Sequence, residues 1–529
     1  MKKYYSTVFF FLTFISLTAT NIRGIIRDAE NGELLVGASI YLKEDPRISI
    51  MSGLDGTFFL KEVQIGEVTI VCKSLGYALI EKKVNVPSEG LKDVIINMNH
   101  KGIELKSVEV IASSRSNEFG ARNLEKLSPN ILNIVSANAI EISPDLDVAN
   151  VLQRISGVVL DKSNNSGNAQ YAVIRGMDKR YNITLVNGVK IASPNDNQRY
   201  VPLNLFPSEL LDRLEVSKTR TAETEGDATG GAVNLVMKDA PAYFSVMANA
   251  ALGYDSYSFN HQGITYNRNA IVGITPYEKF GKSYAASVSD FQAKLPSISK
   301  DTPYPNAVVG FSIGNRFFDG KLGLLLAGNF QRHNKGKEQT IFGDEMLQTE
   351  QAVRLTDIKY RTYNEVEIKT GLHTKLDYKF NENHKFELYN VFFYNDATQV
   401  RQSNSTNFKL YYEPDKGNAD MSYQTRLMLT KQQIFASTLF GHHRFFTNFF
   451  FDWTVAYSNA GQNTPDRMYL KLDNLRQNYV DDIYFDGDGS NRIWEHNNDQ
   501  DYSGLINLTY KLKTLIGRFE FRGGGLFQK

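Results

Sequence analysis

A chain of 529 residues is long enough for more than one domain. Its 59 Lys and Arg offset 58 Asp and Glu, which gives nucleic acid no electrostatic footprint. Cys72 is the single cysteine, which excludes a disulfide framework and a cysteine-based metal site.

The opening "MKKYYSTVFFFLTFISLTAT" has two lysines, an apolar core from Val8 to Leu17 and small polar residues after it. That pattern reads as a secretory signal over residues 1–20, removed near Ala19 or Thr20. The apolar run falls short of the ~20 residues a spanning helix needs. No cysteine follows it, so no lipid anchor is expected there. No later stretch reads as a transmembrane helix, and an exported chain of this kind keeps one membrane option, a β-barrel.

Residues 21–99 hold short β-rich runs, "IRGIIRDAENGELLVGASIYLKE", "SGLDGTFFLKEV", "GEVTIVCKSLGY" and "LKDVIINMN". Turn dipeptides at this regular spacing predict a small β-sandwich. "GIIRDAENGELLVGASIYL" and "GLDGTFFL" resemble the carboxypeptidase-regulatory-like domain, a transthyretin-like sandwich. No peptidase zinc site accompanies them, so no catalysis is expected.

After the alternating segment "LKSVEVIASS" (residues 105–114), residues 115–239 carry a mixed pattern. In "ISPDLDVANVLQRISG" Ser143 is placed as N-cap, Pro144 as the first helical residue and Gly157 as the stop. Val148, Val151, Leu152 and Ile155 fall on one face. "VIRGMDKRYNITLVNGVKI" then sets a buried-looking Arg175-Gly176 before a hairpin turning at Asn187-Gly188, where both turn residues need positive φ. The glycines of "EGDATGGAVNL" lack the Lys-Ser/Thr of a phosphate cradle and precede a strand, so tight turns and close packing are expected of them.

From residue 242 to 529 strands alternate an apolar, aromatic face with a polar one. Phe449, Phe451, Trp453, Val455 and Tyr457 oppose Asn448, Asp452, Thr454 and Ser458, and Leu372, Leu376, Tyr378 and Phe380 oppose His373, Lys375, Asp377 and Lys379. Short turns at Asp319-Gly320, "NENH", "HHRFF" and "KTLIG" alternate with long polar stretches, read as loops near 255–305, 334–368, 397–425 and 459–500. That alternation predicts part of a large antiparallel transmembrane barrel of about nine strands, with the chain stopping before closure. The fold class expected is therefore mainly β: sandwich, small α+β domain, barrel.

The order and spacing of "DVANVLQRISGVVL", "VIRGMDKRYNITLVNGVKI" and "LLDRLEVSKTRTAETEGDATGGAVNL" resemble the plug of TonB-dependent outer-membrane receptors. A sandwich ahead of the plug is common in such receptors from Bacteroidetes-like bacteria. Two departures stand out, Asn187 where the family usually has Asp and Met237 where it usually has Thr. The resemblance implies that Arg175, Gly176, Asn187, Gly188, Gly230, Gly231 and Asn234 are plug-core positions inside a barrel lumen. It implies a segment pairing with TonB and its inner-membrane energising complex by β-augmentation, for which Val108, Glu109, Val110 and Ile111 are the candidates. It also implies an extracellular ligand, siderophore-iron or oligosaccharide, with a surface binding lipoprotein as a further partner. Plug-apex contacts are assigned to "KSNNSGNAQ" and "SPNDNQRY", with Asn195, Asp196, Arg199 and Tyr200 as candidates. The protein is then expected in the outer membrane among its lipids, sandwich and TonB segment in the periplasm, with no cofactor and no enzymatic activity. The alternative is a surface adhesin whose barrel is only an anchor.

Two metal echoes are set aside. His384 and Glu387 lie three apart on a strand, on opposite faces. "DGDGSN" (Asp486 to Asn491) starts like a calcium loop but has Asn497 at its twelfth position.

Overall fold

The structure is a computed structural model that describes residues 19–529 apart from 30–31, 33, 47, 54, 75–76, 100–117, 144, 163–168, 196–197, 222–223, 291–295, 348–351 and 515–516. The chain divides into two units after Val108.

In the first unit, β1 (Ala19–Asp28), β2 (Ser39–Leu42), β3 (Ser49–Met51), β4 (Thr57–Gln64), β5 (Gly66–Lys73), β6 (Ile80–Val86) and β7 (Leu91–Met98) build two sheets. Their orders are β4-β1-β7 and β3-β2-β5-β6, with β1 parallel to β7 and antiparallel to β4. Period-two patterning sends Val94, Ile96 and Met98 of β7 inward, where they join Ile22, Ile26, Ile40, Leu60, Ile70 and Cys72 in one apolar core. This is the ordinary inside-out logic of a sandwich in water.

The second unit begins with the helix Glu118–Leu127 and continues through β8 (Leu132–Ser136), β9 (Val158–Lys162), β10 (Ala169–Ile174), β11 (Asn182–Val186), β12 (Val189–Lys190), β13 (Leu211–Ser217) and β14 (Gly231–Met237). Five of these strands form a mixed sheet in the order β12-β11-β14-β13-β8, and β9 and β10 form a separate hairpin. The expected long helix from Ser143 is corrected here. Ser143 ends the helix Ala137–Ile142, its hydroxyl donating to the Ile140 carbonyl at 2.9 Å. Asp147 caps a shorter helix, Val148–Leu152, by accepting from the Asn150 amide at 2.9 Å. Two good caps four residues apart compete, and the carboxylate at the positive helix end wins.

The rest of the unit contains β15 (Ser245–Gly253), β16 (Gly263–Tyr266), β17 (Ile298–Asp301), β18 (Asn306–Phe317), β19 (Leu322–Leu347), β20 (Ala352–Asn381), β21 (His384–Asn407), β22 (Ala419–Phe445), β23 (Phe449–Arg476), β24 (Ile483–Thr514) and β25 (Gly517–Gln528). Nine of them form one antiparallel sheet in the order β15-β18-β19-β20-β21-β22-β23-β24-β25. From β19 to β24 the strands run 24 to 32 residues, so most of the stretches 334–368, 397–425 and 459–500 are strand and not loop. A bilayer needs only about 9–11 residues of each strand. Beyond that level both faces turn polar in segments such as Gln402 to Asn407, so the alternation that marks a strand in sequence fades there while the backbone ladder continues.

The expected loop at 255–305 does connect β15 to β18, and it is folded. Its β16–β17 hairpin packs Ile264 and Tyr266 against Val400, Leu427 and Met468, on the face of the large sheet away from the plug.

The faces of this sheet invert the sandwich rule. On β20, Leu372, Leu376 and Phe380 are exposed, whereas His373 and Asp377 are fully buried and Lys375 is 2% exposed. On β23 and β24 the exposed side carries Val455, Tyr502, Ile506, Leu508 and Tyr510. Bare apolar side chains facing outward cost about 25 cal/mol per Å² in water and nothing comparable in hydrocarbon. Tyr457 and Tyr502, with ring centres 4.9 Å apart, stand at one rim of that band, and Trp453 stacks against His443 toward the other.

Candidate functional site

The site is the contact between residues 118–239 and the charged face of the large sheet. Within that segment the hairpin turns as its dipeptide requires. Asn187 and Gly188 have φ of 50° and 82°, and Val186 pairs with Val189. Asn234 closes the turn from the neighbouring strand, its carbonyl oxygen accepting from the Gly188 amide at 2.8 Å and its amide donating to Glu215 at 2.8 Å. Asn187 accepts from the Met237 amide at 2.9 Å. This contact joins the two positions at which the chain departs from the usual family residues.

Arg175 is exposed, against the reading of a buried arginine. It has φ of 55° beside Gly176 at 77°, which makes a second tight turn, and its guanidinium donates to the Lys218 carbonyl at 2.8 Å. Gly230 and Gly231 are close-approach positions. A Cβ on Gly230 would stand 2.3 Å from Asn182 Oδ1, and one on Gly231 would stand 2.5 Å from the Ser217 carbonyl.

This segment sits on the sheet through both apolar and polar contacts. Phe206 meets Phe393 edge-on at 4.8 Å, and Val391, Ile434, Ala436 and Ala460 of the sheet share one core cluster with Leu203 and Leu205. Around that patch the contacts are polar. Gln331 donates to the Leu146 carbonyl at 2.9 Å, His373 bonds the Lys238 carbonyl at 2.9 Å, and Ser458 accepts from the Ala192 amide at 3.0 Å. Asp239 pairs with Lys375, and Asp147 faces Lys369 at 3.7 Å. Burial raises the Asp147 carboxyl above its usual range, with Lys369 opposing the shift.

Three apex candidates are described. Asn195 bonds the Tyr171 hydroxyl, and its carbonyl accepts from Asn497 at 2.9 Å, so it is tied to the sheet wall. Tyr200 packs edge-on to Tyr171 at 4.7 Å, with the Lys179 ammonium 4.9 and 5.4 Å from the two rings. Burial pushes the Tyr171 hydroxyl up to about 12, so it stays neutral and able to donate. Arg199 is exposed. Asp196 lies outside the described residues, as do Val108, Glu109, Val110 and Ile111.

Several residues of the seat were not singled out in the sequence. Asn182 is buried and donates to the carbonyls of Ala172, Met177 and Asp178 at 3.0, 3.2 and 3.2 Å, holding the chain before the hairpin. Lys190 bridges Glu225 at 2.9 Å and Asp227 at 2.6 Å, fastening the glycine-rich segment to the hairpin. Neither has a motif; each depends on a partner that only the fold brings near. His384 and Glu387 do fall on opposite faces, His384 against His443 at 3.0 Å and Glu387 against Lys385 at 2.7 Å. Asp486 pairs with Lys471 at 2.7 Å, and no group of three His, Cys, Asp or Glu among the described residues is placed to hold a metal.

Residues 125–232 match the TonB-dependent receptor plug domain, and residues 22–110 match the carboxypeptidase-regulatory-like domain. A vitamin B12 transporter of Vibrio vulnificus (strain CMCP6) is 25% identical over 124 residues, which span 23% of this chain and 20% of the transporter. Among solved structures, a mutant ferric enterobactin receptor of Pseudomonas aeruginosa aligns at TM-score 0.34 and 12% identity, over 72% of this chain and 60% of that one. The ferric citrate transporter FecA aligns at TM-score 0.29 and 11% identity, over 77% of this chain and 75% of that one. The matched families are receptor and accessory domains, not enzymes. The chain thus carries a carboxypeptidase-regulatory-like domain and, after it, a TonB-dependent receptor plug domain, followed by a nine-stranded antiparallel sheet.

Proposed function

We propose that the protein is an energised outer-membrane transporter that imports a scarce, bulky solute, siderophore-bound iron or an oligosaccharide. The observation that carries this reading is the seat of the plug. It rests on a buried, charged sheet face whose reverse is apolar, and many of its contacts are ion pairs and single hydrogen bonds. Water and ligand can replace such contacts one by one at a net cost of about 0.5–1.5 kcal/mol each, so a plug held this way can be displaced without unfolding the sheet. An anchor for an adhesin has no use for a displaceable plug.

The energy enters from the periplasm, where Val108 to Ile111 add as a strand to TonB and its inner-membrane complex. Val110→Pro removes one amide donor from that strand and fixes its φ. Cells carrying this variant should bind labelled ligand at the surface as the wild type does and accumulate none. Normal accumulation would remove this segment from the mechanism. Loss of uptake in a strain without TonB separates the transporter from the adhesin.

A further inference from the structure

Past the plug, toward the ends of the long strands, the same inner sheet face gathers guanidiniums. Cross-strand register sets Arg401 opposite Arg426, and Arg426 opposite Tyr469. The guanidinium carbons of Arg401, Arg426 and Arg467 lie 5.9, 6.0 and 5.9 Å from the centre of the Tyr469 ring. Arg361 adds a further cation from β20, where it is paired with Ser403, two residues from Arg401 along β21. Like charges directly opposite one another weaken a sheet.

The counter-charge is incomplete. Arg467 has Glu495 at 2.8 Å, and Arg426 donates to Gln399, whose amide in turn donates to the buried Glu365 carboxylate at 2.8 Å. Arg401 donates to the neutral Gln424 at 2.8 Å, and Arg361 to the neutral Ser403 hydroxyl at 3.2 Å. The Nε atoms of Arg401 and Arg467 are buried and have no hydrogen-bond acceptor. A buried N–H without an acceptor costs about 1–3 kcal/mol, more when charged, and an anion would supply the missing acceptor. Tyr469 suits this use, because an aromatic face steadies a guanidinium while leaving its planar fork available for bidentate bonds.

The cluster also lies between two cavities. A cavity of about 220 Å³ beside the plug is lined by Asp147, Lys162, Lys335 and Lys369. A second, of about 400 Å³, is lined by Asp357, Ser405, Asp420 and Lys471. On β20 the arginine cluster falls between them in the order Lys369, Arg361, Asp357, all on one face by period two.

We infer that Arg361, Arg401, Arg426 and Arg467 form an anion-binding subsite in the lumen, and that the ligand carries at least two carboxylate, sulfate or phosphate groups. This rests on the transporter reading for its ligand, but its test needs no energy source, so the two fail separately. Two sources share the chemistry, an anionic iron chelate and an acidic oligosaccharide.

Calorimetric titration of the full-length receptor in detergent with iron(III) citrate and with a sulfated chondroitin tetrasaccharide distinguishes them, and maltotetraose is the uncharged control. At least one anionic probe should bind, more weakly as salt rises. Arg361→Gln with Arg401→Gln should weaken that binding at least 10-fold. Arg401→Lys, which keeps the charge and loses the fork, should fall between. An unchanged melting temperature without probe shows that the variants fold. Failure of both anionic probes to bind, equal binding of maltotetraose, or undiminished affinity in the double variant would each overturn the inference.

Discussion

The sandwich and the large sheet are both built from strands of alternating polarity, yet they bury opposite faces. In the sandwich Ile70 and Ile96 are inside and Lys82 and Lys83 outside; in the sheet Lys375 and Asp377 are inside and Leu376 and Phe380 outside. Alternation therefore reports that a strand has two environments and says nothing about which is water. The neighbours decide it. Under the plug, buried charges of the sheet are satisfied by one another and by the plug, as in Arg316–Asp377 at 2.9 Å and Lys375–Asp239. Among the described residues, Leu376, Phe380, Ile506 and Leu508 on the apolar side stay exposed.

The contrast can be broken most strongly from the sandwich side. Ile70→Ala opens a cavity at a fully buried position and should cost about 2–5 kcal/mol, read as a lower denaturation midpoint of that unit. On the sheet, Val455→Arg places a charge within the outward apolar band and should cost ~2–4 kcal/mol when unfolding is followed in lipid vesicles. The matched control is Ile95→Lys on the exposed side of the sandwich, which should stay within about 0.5 kcal/mol. Equal costs at Val455 and Ile95 would mean that the two exposed faces meet the same solvent.

Inside the plug, Gly231→Ala brings a methyl against the Ser217 carbonyl and should destabilise by about 1–3 kcal/mol, with sheet strands unaffected. The smallest effect is one of pH. Because burial raises the Asp147 carboxyl, the folded protein holds that proton more tightly than the unfolded chain does. Its contribution to stability therefore falls as pH rises from the ordinary carboxylate value, near 4, through the folded one. Asp147→Asn keeps a capping side chain and should flatten that slope in a pH series of melting curves.

Much of this was legible in the chain. Asn187-Gly188 specified its turn because few residues accept positive φ, and "GG" specified close packing because nothing larger fits. The strand ends were not legible, since a segment such as Gln402 to Asn407 is polar on both faces and carries no period. The helix expected from Ser143 starts instead at Val148, because Ser143 and Asp147 are both good caps, and only the preceding helix assigns Ser143 to its end. Of the seat, Lys375 and Asp377 were visible as a polar strand face. The Lys375 partner Asp239, like the Asn182 and Lys190 networks, joins residues remote in sequence, which no local pattern encodes.

The central claim is that the plug leaves its seat during transport while the sheet stays fixed. The Ala192 amide and the Ser458 hydroxyl are 3.0 Å apart across that seat. Cysteines at both positions, in a Cys72→Ala background, would tie the plug to the wall. Oxidised cells should bind labelled ligand and accumulate none, and reductant should restore accumulation. Wild-type accumulation with the disulfide shown to be formed would contradict the account.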